Sequence, residues 1–208
     1  MRKNRLLVVV FLCSCSFVLL GCAKKEIRNI NSGGKNIICF GDSITFGYGA
    51  EPGEDYPSAL GEFVSKPVIN AGIDGDSTAE ALKRIKADVL DKEPYLVIIE
   101  FEGNDFIKEI SKEKTFSNMR EMIDMIQSKG AMVAIADISA GIFLKEYRQG
   151  YYEIAREKGA LFISSILSGI ITNPSMKSDF LHPNAKGYKI VAQRVFRAIK
   201  PVLINKDF

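Results

Sequence analysis

Short apolar runs rich in β-branched residues alternate along the chain with stretches whose apolar positions recur every three or four residues. The runs at 36–40, 68–70, 95–100, 131–136 and 160–164 predict five strands. Between them, Ser77-Thr78-Ala79-Glu80 has the form of a capping box, opening a helix whose Leu82, Ile85 and Val89 share one face. Phe116, Met119, Met122, Ile123 and Ile126 repeat at helical spacing up to a stop at Lys129-Gly130. Tyr188, Val191, Ala192, Val195, Phe196 and Ile199 form a last stripe, with Asn184 placed to cap it. Strands that are apolar along their whole length, separated by helices, imply a parallel sheet covered on both faces. With no repeat and no internal linker, the prediction is one doubly wound α/β domain.

Composition agrees and adds a boundary. The chain has 208 residues, 47% apolar and 25% charged, which excludes disorder and fibrous repeats. A chain of this length buries about 70% of its unfolded surface and needs no disulfides. The net charge of +3 is concentrated at the front: Arg2, Lys3 and Arg5 precede an uncharged run from Leu6 to Gly21. A basic start, a short apolar core and small residues predict a signal peptide over 1–21. The uncharged core is too short for a membrane span, which needs about 20 residues.

Leu19-Leu20-Gly21-Cys22 resembles the lipobox of bacterial lipoproteins. That resemblance implies lipidation of Cys22, a tether over 22–35, a mature domain over 36–208, and residence as an exported, membrane-anchored lipoprotein of the cell envelope. An ordinary signal peptide or a single N-terminal anchor is the alternative. Without the leader, 25 basic residues face 25 acidic ones, so nothing supports a nucleic-acid partner. Cys39 becomes the one free thiol, inside the apolar run Ile37-Ile38-Cys39-Phe40, and reads as a small buried hydrophobe. A single His and no Cys/His cluster exclude a structural zinc site.

In such a sheet, ligands bind beyond the carboxyl ends of the strands. Gly41-Asp42-Ser43 follows the first predicted strand, Ala71-Gly72 the second and Gly103-Asn104-Asp105 the third; Asp179-Phe180-Leu181-His182 precedes the last helix. A serine needs a base to become a nucleophile, and any imidazole base here is His182. Asp179, three residues earlier, is placed to hold that imidazole in one tautomer. The N–H groups of Ser43 and Gly72 and the Asn104 amide are candidate oxyanion donors.

The set, in this order, resembles the SGNH (GDSL-type) hydrolases, through Phe40-Gly41-Asp42-Ser43-Ile44-Thr45, Asn70-Ala71-Gly72, part of a Gly-x-Asn-Asp block, and Asp-x-x-His. Val-Ile-Asn-Ala-Gly-Ile-Asp-Gly-Asp-Ser-Thr and Leu-His-Pro-Asn-Ala-Lys-Gly-Tyr look most similar to the thioesterase/lysophospholipase/arylesterase branch. The resemblance implies a flavodoxin-like three-layer α/β/α sandwich without metal or organic cofactor. It also implies Ser43 as nucleophile, His182 as base, Asp179 as its orienting carboxylate, and Ser43, Gly72 and Asn104 as the oxyanion hole. The expected reaction is hydrolysis of a small-molecule or lipid acyl ester or thioester through an acyl-enzyme on Ser43. Deacetylation of cell-envelope glycans and a silent, surface-anchored binding module are the alternatives. Two departures bear on substrate: Glu102 stands where the branch usually has Gly, and the segment from Asp137 to Leu144 is short, with Ile138, Ile142 and Phe143 candidates for an acyl pocket.

Overall fold

The computed structural model describes residues 26–139 and 144–203. The predicted leader, Cys22, and Ile142 and Phe143 lie outside the described residues. Five strands, β1 (Asn36–Gly41), β2 (Val68–Gly72), β3 (Pro94–Glu100), β4 (Met132–Ala136) and β5 (Leu161–Ile163), form one sheet in the order β2-β1-β3-β4-β5. Every pairing is parallel. That order belongs to the flavodoxin-like doubly wound class, whose crevice lies between β1 and β3.

Among the described residues, seven α-helices pack around it: α1 (Ser43–Phe46), α2 (Tyr56–Gly61), α3 (Thr78–Ile85), α4 (Gly103–Ile107), α5 (Lys112–Ser128), α6 (Lys145–Lys158) and α7 (Ala185–Leu203). The period-2 geometry of a strand divides the core in two. Ile37 and Cys39 of β1, with Leu96 and Ile98 of β3, pack towards α2 and α7. Ile38, Phe40, Val97 and Ile99 point to the other face, towards α3, α5 and α6. Strands β1, β3 and β4 are buried on both faces, which is why they carry no polar alternation.

The local signals act as read. Ser77 and Glu80 make both bonds of the capping box. Asn184 Oδ1 accepts from the N–H groups of Lys186 (3.1 Å) and Gly187 (3.2 Å) at the start of α7. Helices α2 and α6 carry weaker sequence patterns; α6 is held by Tyr147, Tyr151, Ile154 and Ala155, buried against the second core. Cys39 is fully buried, and desolvation pushes its thiol up to about 12, so it stays protonated and inert.

The segment expected as a tether is held against the body from Glu26 onward. The Arg28 N–H donates to the Gly159 carbonyl at 2.8 Å, and the Asn29 amide to the carbonyls of Gln127 and Ala131, each at 2.9 Å. Ile27 and Ile30 pack on the first core.

Candidate active site

At the end of β1 the chain must turn sharply beneath its neighbours. A Cβ on Gly41 would fall 2.1 Å from Thr45 Oγ1 and 2.6 Å from the Glu100 carbonyl oxygen, so only glycine fits. Asp42 then caps α1 by accepting from the Ile44 N–H at 3.1 Å, which sets Ser43 as the first helical residue at the carboxyl edge. His182 arrives from a tight loop before α7. The Lys177–Pro183 bridge and the Ser178 N–H to His182 carbonyl bond (2.9 Å) close that loop. Asp179 Oδ1 accepts from the N–H groups of Leu181 (2.8 Å) and His182 (2.9 Å), fixing the carboxylate against its own backbone.

These local constraints bring three side chains into line. His182 Nδ1 lies 2.8 Å from Asp179 Oδ2, and His182 Nε2 lies 3.0 Å from Ser43 Oγ, across 139 residues of sequence. Desolvation would raise the Asp179 carboxyl, but the two N–H donors and the imidazole together hold it down to about 2. An ionised Asp179 requires the proton on Nδ1, which leaves Nε2 free to accept from the serine hydroxyl. The Tyr48 ring rests on the imidazole, with centroids 4.5 Å apart.

Beneath the serine lies a buried acidic pair. Glu100 is fully buried, accepts from Thr45 Oγ1 at 2.8 Å, and is raised well above the carboxylate range by burial and by the charge of Asp42. Burial raises Asp42 as well. The pair therefore keeps a proton at neutral pH and avoids two adjacent buried charges. Asp42 Oδ2 in turn accepts from the Asn104 amide at 3.1 Å, placing Asn104 beside Ser43. A cavity of about 540 Å³ opens over Ser43, His182 and Asn104. It is walled mainly by Ile44, Phe106, Ile107, Ile138, Leu167 and Ile171.

A model of the GDSL-like lipase/acylhydrolase family matches residues 39–190. The chain belongs to that family. It is 23% identical to esterase TesA of Pseudomonas aeruginosa over 199 residues, covering 90% of this chain and 99% of TesA. It superposes on the crystal structure of the psychrotrophic esterase EstA from Pseudoalteromonas with a TM-score of 0.74 and 25% identity, covering 82% of this chain and all of EstA. An uncharacterised lipoprotein of Bacillus subtilis, YqeF, is 34% identical over 97 residues, 43% of this chain and 37% of its own length.

Among the residues this GDSL-family chain was expected to use, Ser43, Asp179, His182 and Asn104 converge, and Gly72 does not. Gly72 is on the edge strand, its N–H donates to Asn70 Oδ1 at 2.9 Å, and it is absent from the cavity wall. The loop reaches the cavity two residues later, at Asp74, beside Gly75 with its φ of +76°. Asp105 of the same Gly-x-Asn-Asp block turns away to accept from the Thr78 N–H (2.8 Å), Thr78 Oγ1 (2.5 Å) and Thr115 Oγ1 (2.7 Å). Glu102 is 1% exposed and feels the charges of Asp137 and Asp42. Desolvation, then the Asp137 charge, push it up to about 9, so the residue that replaces glycine is a neutral acid at pH 7. Ile138 does line the cavity.

Sequence reasoning missed Tyr48, Thr45 and Glu100. A lone acid closing an otherwise apolar strand was a legible signal for Glu100. Nothing local marks Tyr48.

Proposed function

We propose that this protein is a serine ester hydrolase acting on acyl esters or thioesters through a covalent intermediate on Ser43. The observation that carries this reading is the unbroken line from Asp179 through His182 to Ser43 Oγ, with bonds of 2.8 Å and 3.0 Å. Ser43 Oγ attacks the carbonyl carbon while its proton passes to His182 Nε2. The imidazolium formed is stabilised by Asp179. The carbonyl π electrons collapse onto oxygen, where the Ser43 N–H and the Asn104 amide donate; each well-placed donor contributes about 3 kcal/mol. The third donor comes from the turn at Asp74–Gly75 rather than from Gly72. When the C–O or C–S bond breaks, His182 returns the proton to the leaving group. Water then attacks the acyl-enzyme with His182 again as base, and the carboxylic acid leaves.

The apolar cavity wall fits an acyl chain, and the sequence before Glu26 fits an exported lipoprotein acylated at Cys22, a reading the likeness to YqeF supports. The test is a chain lacking residues 1–22 with p-nitrophenyl butyrate. It should hydrolyse the ester and be labelled at Ser43 by a fluorophosphonate, and Ser43→Ala should lose at least about 10³-fold in kcat. Unchanged turnover in Ser43→Ala overturns the assignment.

A further inference from the structure

The docked N-terminal segment decides which way the site faces. Its long-range anchors lie at the amino ends of strands, or, at Gln127, in the last turn of the helix that leads into β4. Gly159 and Ala131 immediately precede the stretches that enter β5 and β4, and the Lys35 N–H donates at 2.8 Å to the carbonyl of Glu93, the residue before β3. The carbonyl of Glu26 itself sits against Gly159, whose Cβ would lie 3.0 Å from it. Ser43 and Asn104, by contrast, follow the carboxyl ends of β1 and β3. In a parallel sheet these are opposite edges. The seven residues of β3 alone separate them by about 23 Å at 3.3 Å per residue.

Between Cys22 and Glu26 there are four residue steps, which span at most about 14 Å when fully extended. An acylated Cys22 therefore keeps the amino edge at the lipid headgroups. A leash that short does not let a body of this height turn over to bring its opposite edge onto the same bilayer.

We infer that the catalytic edge of this enzyme faces away from the membrane that anchors it, and that its substrate is an acyl ester or thioester met from the aqueous side rather than a phospholipid of the anchoring bilayer. The inference rests on the proposed lipidation of Cys22. It also gives a role to the apolar rim of the mouth. Phe106, Ile107 and Leu181 line the cavity and are 52%, 62% and 55% exposed, and Phe180, next to Leu181 in the chain, is 88% exposed. Pointing outward, they receive an acyl chain arriving through water and do not seat the protein in its own membrane.

The experiment uses the full, acylated chain reconstituted in phosphatidylcholine vesicles containing a headgroup spin-labelled lipid. Cys39 is buried, so single thiols introduced by Lys92→Cys at the amino edge or Phe180→Cys at the catalytic edge take a fluorophore selectively. The spin label should quench the probe at 92 at least threefold more than the probe at 180. Equal or stronger quenching at 180 overturns the inference. Inserting 20 Gly/Ser residues between Lys24 and Lys25 should raise cleavage of a fluorogenic ester lipid in the same vesicle at least tenfold, with p-nitrophenyl butyrate turnover unchanged. A wild-type chain already cleaving that lipid as fast as the extended one also overturns it. Flotation with vesicles and palmitate labelling, lost in Cys22→Ser, read the anchor separately. A wild-type chain that takes up no lipid removes this inference and leaves ester hydrolysis by the soluble domain standing.

Discussion

The Tyr48 ring meets the His182 imidazole in a tilted contact, with centroids 4.5 Å apart and planes at 45°, and its own backbone carbonyl accepts from the buried Tyr188 hydroxyl at 2.8 Å. That contact limits the ring's swing about the Asp179 bond. Tyr48→Phe keeps the ring contact and should leave kcat within about twofold. Tyr48→Ala should lower kcat about tenfold with little change in KM, since a misplaced general base loses rate rather than substrate affinity. Steady-state kinetics on p-nitrophenyl butyrate separate the two variants.

Asp179 acts as an ionised group held at about 2. Asp179→Asn should therefore cost about 10³-fold in kcat, because the amide no longer imposes the Nδ1–H tautomer. The same low pKa makes a stability statement. Relative to an unfolded carboxyl of about 3.9, Asp179 favours the fold above that pH and loses its contribution as pH falls from about 4 to 2. Thermal denaturation between pH 2 and 5 should be less steep in Asp179→Asn.

Glu102 has the opposite sign. It is protonated when folded, up to about 9, and ionised when unfolded above about 4.5. The folded state then binds the extra proton, so this residue's effect is absent below pH 4, grows destabilising as pH rises through that window, and levels off beyond it. Glu102→Gln keeps the shape without the titration. Its Tm should match that of the wild type near pH 4 and exceed it by about 4 °C or more at pH 8, where each kcal/mol is about 2–4 °C for a chain of this size. Equal Tm differences at both pH values would refute a neutral Glu102.

Asp105 accepts three hydrogen bonds from Thr78 and Thr115 while 1% exposed, tying α4 to the starts of α3 and α5. Asp105→Ala strands buried donors and should destabilise by about 2–4 kcal/mol. Urea denaturation measures that loss. Activity per folded molecule at low temperature should stay within about threefold, which distinguishes this neighbour of Asn104 from a member of the site.

Much of this molecule is legible without coordinates because its determinants are local. Apolar runs such as Ile37-Ile38-Cys39-Phe40 mark strands buried on both faces, and Ser77 with Glu80 marks a helix start through bonds three residues apart. The chemistry of a lone histidine and a serine after a predicted strand is a property of residue type. Other features depend on what a residue meets across the sheet. The period-2 geometry of an edge strand, with Asn70 beside it, turns the Gly72 N–H away from the cavity, while a loop bend brings Asp74 to it. Burial and the charges of Asp137 and Asp42 make Glu102 neutral, although its residue type alone predicts a charge. The stretch from Glu26 to Ser32 is polar enough to read as a free leash, yet long-range bonds to Gln127, Ala131 and Gly159 hold it at the amino edge. The sequence by itself determined the elements and the reactive groups. Contacts between distant residues decided which groups converge, which are charged and which way the site faces, because desolvation and hydrogen-bond partners exist only once the chain has folded.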